Sequence, residues 1–406
     1  MHKLNSLHDW LALLESRHPT EIDLGLDRIA EVYKRLGDTV LAGRALAERV
    51  VSVAGTNGKG SCVATLAALL QGNGLKVATY TSPHLLRFNE RIAINDEPVS
   101  DAQLIDAFEK VEQARADVSL TYFEFTTLAA FVVMAQQPLD MAILEVGLGG
   151  RLDAVNIIDA DISVVTSIDL DHQEYLGNTR ESVATEKLGI ARPDRPLLCG
   201  EMNLPGNFVA EAQQYGCRDL YLGKDFTLAP ELVPNHLPYP SAACAVQAAQ
   251  LLGVELTAEE LAEQLPQVNL PGRFQRIAMG DRQLILDVAH NPAAAQLLAE
   301  RLPKERQCQA VLAMMADKDL AEVIAPFGGL VEHWFLPPLV DNPRAAQPSE
   351  LGQLLYNGGH SNTESSSVGS AIEQALAKAG AGGTVVVFGS FFTVAAALQW
   401  HRGDKQ

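Results

Sequence analysis

VVSVAGTNGKGSCVATLAALLQGNG, residues 50–74, decides the fold. An apolar run ends at Ala54, a glycine-rich turn follows, and from Cys62 the apolar residues recur as they do on a helix; KVATYTS, from Lys76, returns to a strand pattern. That order predicts a β-loop-α-β unit. Between the strand and the helix, GTNGKGS sets backbone N–H groups and a helix N-terminus where they cradle phosphate. Gly55, Thr56, Asn57, Gly58, Lys59, Gly60 and Ser61 are therefore expected to bind ATP, with Lys59 reaching the β- and γ-phosphates and the Ser61 hydroxyl ligating magnesium. The spacing is a variant of G-x-x-x-x-G-K-[ST]: Val53 takes the first glycine position and Gly60 follows the lysine.

Outward from this unit, MAILEVGLGG from Met141 and ISVVTSI from Ile162 are apolar on both faces, which predicts buried parallel strands. A second series follows LPQVNLPGR, with strands near LILDVA, QAVLAMM, HWFLPPL and TVVVFGS separated by helical stretches such as NPAAAQLLAERL and SAIEQALAKAG. Both halves are α/β. A chain of 406 residues exceeds one ordinary core, so two domains are expected, 1–269 and 270–406. Ser361 to Ser370 reads as a polar loop. No uninterrupted apolar run reaches about 18 residues, and the N-terminal stretch carries charges where a signal peptide is apolar, so neither membrane insertion nor export is expected. Five scattered cysteines without CxxC spacing argue against a disulfide framework and for the cytoplasm. A formal charge of -19 excludes nucleic acid and anionic membranes as partners and requires local positive charge or metal for any anionic substrate.

Phosphoryl transfer needs magnesium, which takes a few hard ligands and waters. Glu145 follows the strand MAIL and His172 follows ISVVTSI; open α/β sheets bind ligands at such strand ends. Each also has a bland reading, as a turn cap for Glu145 and a structural histidine for His172. Lys187, in ESVATEKLGI, reads on its own as a surface partner of Glu181 or Glu186. The alternative is a neutral amine in a low-dielectric site that takes up carbon dioxide as a carbamate.

GTNGKGS, TSPHLLRFNERI, LTYFEFTTLAAF, LEVGLGGRLDAVN, SIDLDHQEYLG, EKLGI, LPGRFQ, DVAHNP and MADKD occur in the order found in folylpolyglutamate synthases of the Mur-ligase-like superfamily, and the chain resembles that family over nearly its whole length. The resemblance implies an N-terminal P-loop ATPase domain with a mostly parallel sheet and a C-terminal Rossmann-like domain, with ATP and folate meeting between them. It implies that Ser82, Glu145 and His172 are magnesium positions, with about two ions per site, and that Lys187 is carbamylated, against its surface-pair reading. Lys59, His172 and Lys187 are the implied catalytic residues. Thr121, Tyr122, Phe123 and Glu124, with Leu152, Asp153 and Ala154, match the part that holds the pterin, Phe123 as a stacking partner. Arg273, Asp287 and His290 match nucleotide contacts from the second domain, His290 being equally readable as structural. Ser241 in LPYPSAACAV stands where the family often has an Asn, and a hydroxyl lacks an amide's paired donor and acceptor.

No motif sets a nucleophilic Ser or Cys beside a His and a carboxylate, so activation of a substrate carboxylate by ATP is the expected chemistry. The resemblance implies addition of L-glutamate to dihydropteroate, giving dihydrofolate, and to reduced folates, by a monomer hinged near Asn269 to Gly272. Lys318 in MADKD is a candidate for receiving glutamate or a plain surface residue. The rival readings are a monofunctional folylpolyglutamate synthase, a Mur-type ligase acting on a cell-wall precursor, and a P-loop regulatory ATPase with no amino acid requirement.

Overall fold

The computed structural model describes residue 4 and residues 6–20, 22–41, 43–304, 308–340 and 342–403. The chain divides into two compact units: residues 1–234 with 238–268, and residues 235–237 with 269–406.

The first unit is built on eight strands, β1 (Arg49–Ala54), β2 (Val77–Tyr80), β3 (Ile92–Ile94), β4 (Glu97–Pro98), β5 (Met141–Glu145), β6 (Ile162–Val165), β7 (Pro196–Cys199) and β8 (Arg218–Tyr221). Their order is β4-β3-β2-β5-β1-β6-β7-β8. Pairing is parallel from β2 to β8, and the β2–β3 and β3–β4 pairs are antiparallel. The central strand β1 lies between β5 and β6, in register Val53 to Glu145 and Ala54 to Val165. The turns leaving β1, β5 and β6 therefore emerge side by side at the carboxyl edge of the sheet.

Strand β1 is buried from its second residue onward, as its continuous apolar run predicts. The helix Lys59–Gly72 that follows is apolar all round because it is covered on both sides, by the sheet and by the helix Tyr239–Leu251. Both helices bury small side chains, among them Cys62 and Thr65 on one and Ala242, Ala245 and Ala248 on the other, which favours the close packing of the pair. On one face of the sheet, Tyr80, Ala142 and Leu144 join Phe108, Phe125 and Phe131 in a core roofed by the helices Asp101–Arg115 and Tyr122–Ala135.

The second unit has six strands, β9 (Gln275–Met279), β10 (Arg282–Asp287), β11 (Cys308–Leu312), β12 (Val331–Leu336), β13 (Asn362–Glu364) and β14 (Thr384–Phe388), in the order β13-β12-β11-β14-β10-β9. All pairs are parallel except β9 with β10. This is the expected second α/β sheet, with one correction. The stretch read as a polar loop contains β13, which pairs in parallel with Trp334–Leu336, and Ser367, which caps the helix Val368–Ala379 by accepting from Ser370 N–H. An edge strand of three polar residues needs only one neighbour and shows no apolar alternation.

Candidate active site

The phosphate loop is shaped by contacts far along the chain. Thr56 N donates to Ser167 O (3.0 Å), Asn57 N to Ser167 Oγ (2.9 Å), and the Asn57 carbonyl accepts from Thr166 Oγ1 (2.7 Å) and Ser167 Oγ (3.0 Å). Thr56 Oγ1 donates to Asp169 O at 3.0 Å. Gly58 turns the chain into the helix at φ 81°, a region open to glycine, and a Cβ there would meet Ser241 Oγ at 2.3 Å. Ser241 is buried and its hydroxyl donates to Gly58 O at 2.9 Å. The hydroxyl that stands for the family's amide thus braces the loop from behind. Lys59 Nζ folds back over the loop, donating to Gly55 O at 2.9 Å. Gly60 and Ser61 lie in the first helical turn, where their N–H groups have no partner within the helix. Thr166, Ser167 and Asp169 went unassigned in the sequence; the hydroxyl pair directly after a buried strand was the available signal.

Glu145 is the last residue of β5 and is buried. Its Oε2 lies 3.3 Å from Ser82 N, so Glu145 and Ser82 share one locus beside the loop. A single buried carboxylate with the hydroxyls of Ser61 and Ser82 is the sparse oxygen set that magnesium takes when phosphates and waters complete its shell, so these residues fit the expected ion. His172 is exposed and precedes the short helix Gln173–Leu176 in a left-handed conformation, φ 49°. Among the described residues, no three His, Cys, Asp or Glu side chains converge into a metal-binding group.

Lys187 is only 2% exposed, which overturns the surface-pair reading. Its neighbour Glu186 pairs with Arg151 instead, at 2.7 Å. Burial, reinforced by the charge of Lys59, lowers the Lys187 amine to about 7, while Asp171 and Glu186 pull it upward. Lys59 also acts on Asp153, so the loop lysine is close to both Lys187 and the 147–155 turn. Burial raises the Asp153 carboxyl to about 6 against N–H donation from Leu148 and Val155, at 2.9 and 3.0 Å. Asp153 is thereby the tie that shapes this turn, with Leu152 and Ala154 on either side.

The expected pterin residues separate into a face and its support. Thr121 and Glu124 form a capping box at the helix Tyr122–Ala135, Glu124 Oε2 accepting from Thr121 N at 2.7 Å. The Glu124 carboxylate is buried and is met by Arg28, with Nη2 3.2 Å from Oε1. Arg28 was not singled out in the sequence. Tyr122 and Phe123 are half-buried, and the Phe123 ring stacks on Tyr80 with centroids 6.1 Å apart. That ring lies so close over Gly147 that a Cβ would meet its Cζ at 2.6 Å.

In the second unit, Asp287 ends β10 and accepts N–H bonds from Phe274 and Ala289, each 2.8 Å. Burial raises its carboxyl, opposed chiefly by Arg273. The Arg273 guanidinium lies over the Phe391 ring, 5.2 Å from its centre. His290 Nδ1 is 2.8 Å from Val288 O, and its ring also borders Phe391. Arg273, Asp287 and His290 are thus brought together around the β10 end, while the Lys318 N–H closes a turn onto Met315 O.

The Mur ligase middle domain matches residues 53–196, and the Mur ligase, glutamate ligase domain matches residues 272–391. The dihydrofolate synthase/folylpolyglutamate synthase of Escherichia coli (strain K12) is 41% identical, over 97% of this chain and 95% of that protein. The Haemophilus influenzae protein of the same name is 36% identical, over 96% of each. Among solved structures, E. coli FolC in complex with DHPP and ADP superposes with a TM-score of 0.92 at 39% identity, covering 100% of both chains. The bifunctional enzyme of Yersinia pestis, complexed with AMPPNP and Mn ion, gives 0.91 at 38% over 99% of each. With relatives this similar along nearly its whole length, the chain belongs to the dihydrofolate synthase/folylpolyglutamate synthase family of ATP-dependent Mur-type ligases.

Proposed function

We propose that this chain joins L-glutamate to the carboxylate of a pterin acceptor, converting dihydropteroate to dihydrofolate and extending reduced folates with γ-linked glutamates. The phosphate loop beside Glu145 and Ser82 carries the reading, because it supplies what carboxylate activation needs and no protein nucleophile is required.

In the first step an acceptor carboxylate oxygen attacks the γ-phosphorus of ATP, the bond to the β-phosphate oxygen breaks, and ADP leaves an acyl phosphate. In the second, the α-amine of L-glutamate attacks the acyl carbon, phosphate departs with its electron pair, and the nitrogen loses a proton. The loop N–H groups and Lys59 hold the polyphosphate and balance charge developing on the transferred group. Ser61, Ser82 and Glu145, with His172 as the further expected ligand, would hold magnesium, expected as about two ions, which would supply additional charge neutralisation. Tyr122 and Phe123 offer the aromatic face for the pterin, and Arg273, Asp287 and His290 the contacts for the nucleotide. The lowered basicity of buried Lys187 supports its carbamylation: the neutral amine attacks carbon dioxide and loses a proton, and the nearby charge of Lys59 is of the sign that favours the resulting anion.

We assign nucleotide activation to residues 1–269 and the glutamate ligase module to 270–406, in a monomer. Four buried free cysteines and the absence, among the described residues, of any helix long and apolar enough to cross a membrane support a cytoplasmic enzyme.

The test is phosphate release from MgATP with dihydropteroate or tetrahydrofolate, each with and without L-glutamate, and products identified by mass. Glutamate-dependent turnover of both acceptors is expected. Turnover of tetrahydrofolate alone would reduce the reading to a monofunctional synthase, and hydrolysis indifferent to glutamate would sink it.

A further inference from the structure

Arg91 ends the 3-10 turn Phe88–Arg91 ahead of β3 and is only 9% exposed. Its Nε donates to His84 Nδ1 at 2.9 Å, and its guanidinium carbon lies 5.4 Å from the centre of the Phe88 ring and 5.6 Å from that of Tyr122. This anchoring fixes the plane of the group yet uses one of its five N–H donors. Among the described residues, no carboxylate comes within ion-pair distance of Arg91, and neither Nη atom donates a hydrogen bond. The acidic residues nearest in sequence are committed elsewhere. Glu90 accepts from the backbone N–H groups of Leu85, Leu86 and Arg87, and Asp101 accepts from Arg87 and Asn89.

Leaving a nearly buried charge without a counterion is strongly unfavourable. A chain with 50 acidic residues to 31 basic ones does not lack candidates to neutralise it. The position explains the exception. Tyr122, whose ring carries the guanidinium, opens the helix that also presents Phe123, and Arg91 and Asp153 both act on the hydroxyl of Tyr80, on which Phe123 stacks. Arg91 therefore borders the aromatic wall already assigned to the acceptor.

We infer that Arg91 receives a carboxylate of the acceptor substrate, its two Nη groups forming the fork that matches a carboxylate in two parallel hydrogen bonds. The inference rests on the ligase reading and goes beyond it in naming the residue and the group it reads. A neutral pterin carbonyl would be served as well by an uncharged donor, without a stranded cation.

The experiment is calorimetric titration of pteroate, pteroylglutamate and their methyl esters into the full-length protein with MgADP present, using wild type, Arg91→Met and Arg91→Lys. Wild type should prefer each acid that Arg91 reads over its ester. Arg91→Met keeps apolar bulk between Phe88 and Tyr122; it should weaken that acid about tenfold or more while leaving the ester within about twofold. Arg91→Lys, with charge but no fork, should fall between. A loss seen with both acids shows that Arg91 receives whichever carboxylate ends the acceptor, the benzoate of pteroate or the glutamyl carboxylate of pteroylglutamate, and a loss confined to pteroylglutamate assigns the contact to the glutamyl group. Equal weakening of acid and ester, or no weakening, overturns the assignment. Affinity for MgADP reports whether each variant is folded, and if Arg91→Met is not, the acid-to-ester ratio of Arg91→Lys decides by the same criterion. A wild type that binds neither acid defeats the ligase reading itself, whereas one that binds both but separates acid from ester no better than Arg91→Met defeats only the role of Arg91.

Discussion

Replacing Lys187 with methionine should stabilise the unliganded protein while removing most of its ligase activity. The amine is 2% exposed and is drawn down from 10.5 to about 7, chiefly by burial. At about 1.4 kcal/mol per tenfold, that drop means folding disfavours the charged amine by about 5 kcal/mol. Local relaxation and water penetration reduce the realised cost, so the expected gain for the apolar variant at about pH 6 is about 2 kcal/mol. The sign with pH is fixed. The unfolded chain stays protonated up to 10.5, whereas the folded protein gives up the proton near 7. The cost is therefore complete below about 7, shrinks as the pH rises from there, and vanishes above about 10.5. Urea unfolding of wild type and Lys187→Met in buffers stripped of carbon dioxide, at about pH 6 and about pH 9, should show a gap that favours the variant and narrows at the higher pH. Turnover should fall about a hundredfold, since methionine cannot form a carbamate. A variant less stable than wild type at the lower pH, or a gap that does not change with pH, would refute the reasoning.

Three further outcomes follow from the geometry. Gly58→Ala should raise the KM for ATP about tenfold and cost about 2 kcal/mol of stability, because a Cβ there is strained and meets Ser241 Oγ at 2.3 Å; adding Ser241→Ala should recover part of the loss, and simple additivity in unfolding would contradict the clash. Asp153→Asn should lower stability by about 1–3 kcal/mol, since an amide accepts from only one of the Leu148 and Val155 N–H groups; an unchanged melting temperature would count against the tie. Arg28→Met should destabilise by about 2 kcal/mol by stranding the buried Glu124 carboxylate, and a second change, Glu124→Gln, should restore much of it; equal melting of the single and double variants would remove Arg28 from the support.

What the sequence disclosed is what is local. The strand, glycine turn and helix of residues 50–74 lie next to one another, and Glu145 follows its strand directly, so pattern and spacing suffice. Ser241, Thr166 and Ser167 act on a loop more than a hundred residues away, and no window of sequence contains both ends of such a bond. Lys187 failed as a surface residue because helical spacing beside two glutamates looks alike whether the helix faces water or protein; only packing distinguishes them. Strands β7 and β8 are short and lie beyond the regions where apolar runs were conspicuous, and β13 is polar throughout. For Glu124, the capping-box pattern T-x-x-E was present in the sequence and pointed to its structural part, while its ion partner Arg28, 96 residues earlier, was not.

The bond from Ser241 to Gly58 spans 183 positions. A ribosome releases those residues in order, so the loop at Gly55 to Ser61 leaves the exit tunnel long before the helix that braces it. A nascent chain stopped just short of Ser241 carries every residue of the phosphate-binding motif and the Thr166, Ser167 and Asp169 partners of the loop, without the brace on Gly58. The brace on Gly58 is thus the last of the loop's side-chain contacts described above to be synthesised, after those from Thr166 and Ser167.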